Sequence, residues 1–125
     1  MPKSKPEGIQ WLPEVAKHDF AAAVSFLGLL HREDQVRKMM RKFRKARVTE
    51  FKAKDIFRAS RLSLLGVSNS HVEKDRVRMQ KGESLAPLLL VRDEANGLVV
   101  IADGYHRLCA VYEADEDALI CCRII

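Results

Sequence analysis

The chain has 125 residues, a length that allows one domain with a modest core. Hydrophobic residues make up 47% and charged residues 31% of the chain, which is typical of a soluble globular protein and excludes a disordered one. No apolar run approaches the roughly 20 residues that span a bilayer, so we expect no membrane partner. The first residues lack the apolar core of a signal peptide, and the expected location is the cytoplasm.

The net charge of +5 is distributed unevenly along the chain. Residues 32–61 contain twelve basic and four acidic residues, whereas residues 92–125 contain three basic and seven acidic residues. The basic part is suited to nucleic acid or to an acidic protein. It also complements the acidic part of a second copy of the chain, so a homodimer is a further alternative.

The cysteines do not form a framework that the sequence can identify. Cys109, Cys121 and Cys122 lack the two spaced pairs of Cys or His that are typical of a structural zinc site. We therefore interpret them as reduced thiols that pack like small apolar side chains, and we predict no metal site.

A helix is predicted near the N-terminus, after a flexible tail over residues 1–12. Pro13 suits the first turn of a helix, because a proline there loses no hydrogen bond. Apolar residues then recur at helical spacing from Val15 to Leu27. The pattern predicts a helix over residues 13–30 with one apolar face.

A second helix is predicted over residues 33–46, and it is strongly basic. Val36 and Phe43 belong to its apolar stripe. The rest of its surface contains six basic residues, which are Arg37, Lys38, Arg41, Lys42, Arg44 and Lys45. The two helices together predict an N-terminal helical hairpin over residues 13–46.

The remaining residues, 47–125, alternate between strand and helix patterns. Val48–Lys52 alternates apolar and polar residues, which predicts a half-buried strand. Ser70 and Glu73 fit a capping box that begins a helix over residues 70–81. This helix should end at the glycine that follows it.

The last part of the chain predicts a hairpin, a helix and a final strand. Pro87–Val91 is a continuous apolar run that predicts a buried strand. Asn96-Gly97 is typical of a hairpin turn, and Leu98–Ile101 forms the partner strand. A helix over residues 104–113 and a strand over Leu119–Ile125 complete the chain.

The junction between the strand Leu98–Ile101 and the helix over residues 104–113 has the features of a phosphate-binding site. Asp103 and Gly104 follow the strand directly, and a helix starts after them. Free N–H groups at the start of a helix and the positive end of its dipole favour an anion. Arg107 adds a guanidinium group whose donors suit phosphate. The predicted phosphate-binding residues are Gly104, Tyr105, His106 and Arg107.

Three residues of this turn, Asp103, His106 and Arg107, also have a purely structural interpretation. Asp103 suits the N-cap position of the helix, where its carboxylate would accept a backbone N–H. His106 can be an ordinary surface histidine. Arg107 can pair with Glu113 or Asp117 instead of a ligand.

The order of elements from Val48 onward, together with the turn Asp103-Gly104-Tyr105-His106-Arg107, resembles the ParB/sulfiredoxin-like domain. That family has a strand, a helix that ends in glycine, a strand that opens with proline, and a strand that ends in a glycine-plus-basic turn. A helix and a last strand follow. The resemblance covers residues 47–125 and implies an α+β fold with a small mixed sheet, to which the N-terminal helical hairpin is added.

Family members use this turn in different ways. In the partition proteins it consists of glycine, glutamate and two arginines and binds a cytidine nucleotide; Arg107 is similar to its last arginine. In sulfiredoxins a cysteine precedes the His-Arg pair, and because Tyr105 stands there in this chain, sulfiredoxin activity is not expected. The turn is most similar to the Asp-Gly-His-His-Arg turn of the free-serine kinases. That resemblance implies that Asp103, His106 and Arg107 lie at the phosphate, with Asp103 as base or magnesium ligand.

The predicted function is the binding of a nucleotide or another phosphate ligand at Asp103–Arg107. Two alternatives remain for the cofactor, which are a nucleoside triphosphate with magnesium or none, and the expected partner is a nucleotide or another phosphate-bearing small molecule. If the site is catalytic, the candidate residues are Asp103 and His106, and the activity is that of a nucleotide-dependent kinase or NTPase. The alternative is a non-enzymatic module that binds DNA, RNA or a protein through the basic helix at residues 33–47.

Overall fold

The computed structural model describes residues 8–66 and 69–125, which form an α+β fold. Its helices are α1 (Lys17–Leu30), α2 (Glu33–Lys45), α3 (Ala53–Ser60), α4 (Ser70–Gln80) and α5 (Tyr105–Ala114). Its strands are β1 (Thr49–Lys52), β2 (Leu88–Asp93), β3 (Leu98–Asp103) and β4 (Leu119–Ile124). The strands form one mixed sheet in the order β1-β4-β2-β3, in which only the β4–β2 pair is parallel. The predicted α+β class with a mixed sheet and helices is confirmed.

Strand β2 lies inside the sheet and is buried on both faces. Leu88 and Leu90 pack into a core with α3 and α5, whereas Leu89 and Val91 pack into a second core with α1 and α2. Successive side chains of a strand point to opposite faces, so a strand buried on both faces needs a continuous apolar run. Burial on both faces therefore explains the continuous apolar run from which the sequence predicts this strand.

The hairpin of α1 and α2 covers the second face of the sheet. Ala23 and Leu27 of α1 and Phe43 of α2 are fully buried there, in the same cluster as Leu89 of β2. The hairpin is therefore a layer of the fold, with the sheet in the middle and α3, α4 and α5 on the other side. No helix in the described ranges is long and apolar enough to cross a membrane.

Helix α1 begins at Lys17, so the prediction that Pro13 lies in its first turn is wrong. Residues 10–12 pair with the segment that precedes β2, and the chain bends at residues 13–14 before the helix begins. The Leu12 N–H donates to the Leu85 carbonyl over 2.8 Å, and the Leu85 N–H donates to the Gln10 carbonyl over 2.9 Å. Part of the predicted tail is thus held against the fold, and residues 1–7 lie outside the described residues.

Strand β1 is mostly exposed, which differs from the half-buried strand that alternation predicted. Only Thr49 of its four residues is partly buried, and Phe51 remains 36% exposed. The reason is its place at the edge of the sheet, where β4 is its only strand neighbour. An alternating pattern shows that two faces differ, but only the tertiary structure decides whether either face is covered.

Helix α4 is capped by Asn69, so the predicted capping box of Ser70 and Glu73 is wrong. Asn69 Oδ1 accepts hydrogen bonds from the N–H groups of His71 (2.9 Å) and Val72 (3.3 Å). Asn is as good an N-cap as Ser, and a shift of one residue is within the usual uncertainty of helix ends. The shift places His71 in the first turn of α4.

Candidate functional site

The predicted phosphate-binding turn lies where β3 ends and α5 begins. Gly104 joins them with a φ of +103°, in the left-handed region that favours glycine. A Cβ atom at this position would lie 2.6 Å from Leu88 Cγ and 2.9 Å from Arg107 Nη2. Glycine is therefore needed both for the backbone conformation and for close packing of the turn on β2.

Gly104 is the N-cap of α5, and no side chain caps this helix. The structural interpretation of Asp103 as the N-cap is therefore wrong. Asp103 is the last residue of β3, and its Oδ2 accepts a hydrogen bond from Arg107 Nη2 over 3.1 Å. The first turn of α5 thus keeps its N–H groups free of side-chain caps, as an anion site requires.

The Arg107 side chain is directed into the protein and is only 15% exposed. In addition to Asp103, it pairs with Asp19 of α1, with 3.6 Å between Nη1 and Oδ1, and donates to the Pro87 carbonyl over 3.4 Å. The predicted alternative partners, Glu113 and Asp117, are not the ones used. We refer to Asp19, Asp103 and Arg107 as the Arg107 cluster, which joins the N-terminal hairpin to the turn.

The Arg107 cluster contains two carboxyl groups around one guanidinium group. Burial raises the pKa of Asp103 to about 6, and the neighbouring Asp19 adds to this rise against the opposing effect of Arg107. Asp19 Oδ2 and Arg107 Nε are buried without a hydrogen-bond partner. Because most of the charge of Arg107 is balanced inside the cluster, this residue positions the turn instead of offering its charge to solvent.

Two histidines lie side by side at the outer surface of the turn. The rings of His71, in the first turn of α4, and His106, in the first turn of α5, have centroids 4.8 Å apart. Burial, His71 and Arg107 lower the pKa of His106, while buried Asp75 opposes this effect. The positive ends of two helices and two imidazole rings therefore meet at one place.

Tyr105 connects the turn to the loop that precedes α4. Its hydroxyl group donates to the carbonyl of Ser63, and its ring lies 5.7 Å from the ring of His106. Its hydroxyl is thus occupied within the protein. Of the predicted phosphate-binding residues, His106 belongs to the histidine pair and Gly104 begins α5, whereas Arg107 and Tyr105 hold the turn in place.

Sequence reasoning missed Asp19, His71 and Asp75. Both acids are buried, with 4% and 6% of their surface exposed. Asp19 precedes buried Ala23 by four residues, and Asp75 follows buried Val72 by three, so each acid continues the apolar stripe of its helix. An acid in such a stripe indicates a buried partner, and this pattern would have found both residues. No pattern pairs His71 with His106.

The second candidate site, helix α2, has the predicted amphipathic arrangement. Val36, Met40 and Phe43 are buried against α1 and the sheet. We call its six exposed basic residues the α2 basic face; they are Arg37, Lys38, Arg41, Lys42, Arg44 and Lys45. None of them takes part in the Arg107 cluster.

Comparison of the chain with known protein families, with curated proteins and with solved structures found no match. Within residues 8–66 and 69–125, no group of three or more His, Cys, Asp or Glu side chains is arranged to hold a metal ion. Function has to be inferred from the geometry of the two candidate sites.

Proposed function

We propose that the protein binds a phosphate-bearing small molecule, such as a nucleotide, where the first turns of α4 and α5 meet. The observation that supports this function best is the contact between His71 and His106, whose rings lie 4.8 Å apart. A phosphate between or above these rings would accept hydrogen bonds from imidazole and from the free N–H groups of α5. The resemblance of the turn to ParB/sulfiredoxin-like domains favours the same ligand class.

The balance of charge in this region favours an anion at the surface. Buried Asp75 pairs with Arg78 over 3.3 Å, and the Arg107 cluster encloses its own carboxyl groups. Asp75 and the Arg107 cluster thus lie inward, and Glu73, in the first turn of α4, is paired with Arg76. Two imidazoles and the N-terminus of α5 face outward. Proton uptake by His106 on anion binding would strengthen the site further, because burial lowers the pKa of this residue in the free protein.

Phosphotransfer or nucleotide hydrolysis would extend this function, with His106 as the candidate catalytic residue that lies at the proposed site. The Asp103 carboxyl group is enclosed in the Arg107 cluster, so the site does not give it the role of base or magnesium ligand that the kinase resemblance implies. Magnesium would be bound mainly by the phosphates of the ligand, as is usual for this ion. Inorganic phosphate released from a triphosphate by wild type, and not by His106→Ala, would support this extension.

Thermal unfolding with ATP, ADP, CTP and GTP, each with and without magnesium, tests the binding function. A ligand at about 100 times its Kd should add about 2.7 kcal/mol to the free energy of unfolding. His71→Ala and His106→Ala should remove most of this gain. The gain should also be larger at about pH 6.5 than at about pH 8, because burial lowers the pKa of His106 and bound anion restores its proton.

His31→Ala is the matched control, since His31 is exposed on the hairpin and not at the turn. Arg107 variants are unsuitable for this test because they disrupt the buried cluster. If no nucleotide raises the stability, or if the His71, His106 and His31 variants behave alike, the ligand site is not at this pair.

A further inference from the structure

The α2 basic face concentrates six exposed cations on one helix, and the proposed ligand site does not use it. After its first turn, every exposed residue of α2 is Lys or Arg. Arg37 pairs with Glu33 over 3.5 Å, and the guanidinium group of Arg44 lies 5.7 Å from the ring centroid of Phe20. The other four have no acidic partner among the described residues; they are Lys38, Arg41, Lys42 and Lys45.

The six cations form two rows along the helix. One row is Arg37, Arg41 and Arg44, and it lines a groove of about 500 Å³ between α1 and α2. The other row is Lys38, Lys42 and Lys45. Residues at i, i+4 and i+7 lie on one side of a helix, and each row spans about 10 Å at 1.5 Å per residue. Measured along the axis of a duplex, this length corresponds to about three base-pair steps.

We infer that the α2 basic face binds the phosphate backbone of nucleic acid without reading its sequence. The face combines regularly spaced cations with an absence of exposed large apolar side chains on α2, whose apolar residues are turned into the core. The exposed apolar side chain beside the groove, Val24, belongs to α1, whereas α2, after its first turn, presents only charge. Protein interfaces have an apolar centre, so the purely charged surface of α2 fits a polyphosphate backbone better than an acidic protein. Base edges are usually read by Asn, Gln and Arg placed in a groove, and Gln35 is the only amide side chain on α2.

Sheet packing keeps this surface in place. Val36, Met40 and Phe43 anchor the opposite side of α2, and the Arg123 guanidinium donates to the Phe43 and Arg44 carbonyls at its C-terminal end. The cations are therefore presented on a helix that is already formed before it meets a ligand. Binding would therefore cost little free energy for ordering the backbone, and electrostatic attraction would contribute most of the affinity.

The decisive experiment measures binding of a short fluorescein-labelled DNA duplex and of a single strand by fluorescence anisotropy at several salt concentrations. Four unpaired cations predict that log K falls with log salt with a slope of about −3.6 on duplex DNA. Neutralising all four cations, in the variant Lys38→Gln, Arg41→Gln, Lys42→Gln and Lys45→Gln, should weaken binding at least tenfold at low salt. The slope should become less negative by about 0.9 for each cation removed. Scrambling the DNA sequence should have no effect.

A control variant removes the same charge elsewhere. It combines substitutions of exposed residues on other elements, which are Lys52→Gln, Lys74→Gln, Lys81→Gln and Arg92→Gln. Wild-type-like binding by the control and weak binding by the α2 variant would support nucleic-acid binding by this face. Equal affinity of the two variants, or no binding by wild type at low salt, would overturn it.

A second measurement separates nucleic acid from another copy of the chain. Sedimentation at low salt would reveal self-association through the acidic residues near the end of α5. A dimer that the α2 variant cannot form, without binding of DNA by wild type, would assign the face to protein and overturn the inference. These measurements do not involve His71 or His106, so they test the α2 basic face independently of the proposed nucleotide site.

Discussion

Arg107 and Arg41 are both arginines on helices, but the charge of Arg107 is buried and paired, whereas the charge of Arg41 is exposed. The Arg107 side chain is only 15% exposed and lies between Asp103 and Asp19, whereas Arg41 is exposed and has no acidic partner among the described residues. A charge removed from water must be paired, because an unpaired buried charge costs several kcal/mol. A charge in water is solvated and remains available. Burial therefore decides whether a basic residue holds the fold together or can bind a ligand.

The same difference separates the two regions as a whole. In the Arg107 cluster, carboxyl groups outnumber the guanidinium group, so the region is saturated by its own residues. On the α2 basic face, six cations share one acidic partner within residues 8–66 and 69–125, which is Glu33. The phosphate ligand proposed near the turn is accordingly placed on His71 and His106, outside the cluster.

The largest expected effect is the loss of Arg107. Arg107→Leu leaves Asp19 and Asp103 facing each other without their cation, and we expect a loss of about 3–5 kcal/mol in the free energy of unfolding. Arg41→Leu, on the exposed face, should change it by less than about 0.5 kcal/mol. Urea unfolding of both variants measures the difference. Similar losses for the two would show that the Arg107 cluster does not support the fold.

A smaller loss is expected from Gly104→Ala. The added Cβ would lie 2.6 Å from Leu88 Cγ, and the backbone would keep a φ of +103°, so we expect a loss of about 2–4 kcal/mol. Gly97→Ala is the matched control, because Gly97 also has a positive φ (+65°) but no atom within 4 Å of an added Cβ. It should lose only about 1 kcal/mol. The comparison of melting curves separates packing from backbone strain, and equal losses would exclude a packing role for Gly104.

The smallest expected effect is a pH dependence that arises at Asp103. Its pKa is raised from 3.8 to about 6 in the folded protein, so the folded state holds the proton more tightly than the unfolded state. The resulting stabilisation is complete below about pH 4 and is lost as pH rises to about 6. Asp103→Asn mimics the protonated form and lacks this change. Wild type should therefore lose about 2 kcal/mol relative to Asp103→Asn between pH 4 and 7.

Chemical unfolding of both proteins across this range gives the measurement. A stability difference that stays constant with pH would mean that Asp103 is ionised as readily in the folded protein as in the unfolded chain.

Much of the local structure could be predicted from the sequence. Three elements are predicted by residues that lie close together in the sequence. They are α2, from its apolar stripe, β2, from its continuous apolar run, and the turn at Asn96-Gly97. The start of α1 could not be predicted, because residues 10–12 pair with the segment that precedes β2, far along the chain. The exposure of β1 likewise depends on its place at the sheet edge.

By itself, the sequence determined the α+β class, the amphipathic basic helix α2 and the glycine turn at Gly104, since each depends on residue types at short spacing. Only the tertiary structure decided what the charged residues do. It turned Arg107 toward Asp19, which lies on the N-terminal hairpin, and brought His71 next to His106. These partners are distant in sequence, and a long-range contact is set by how the layers pack, which no local pattern encodes.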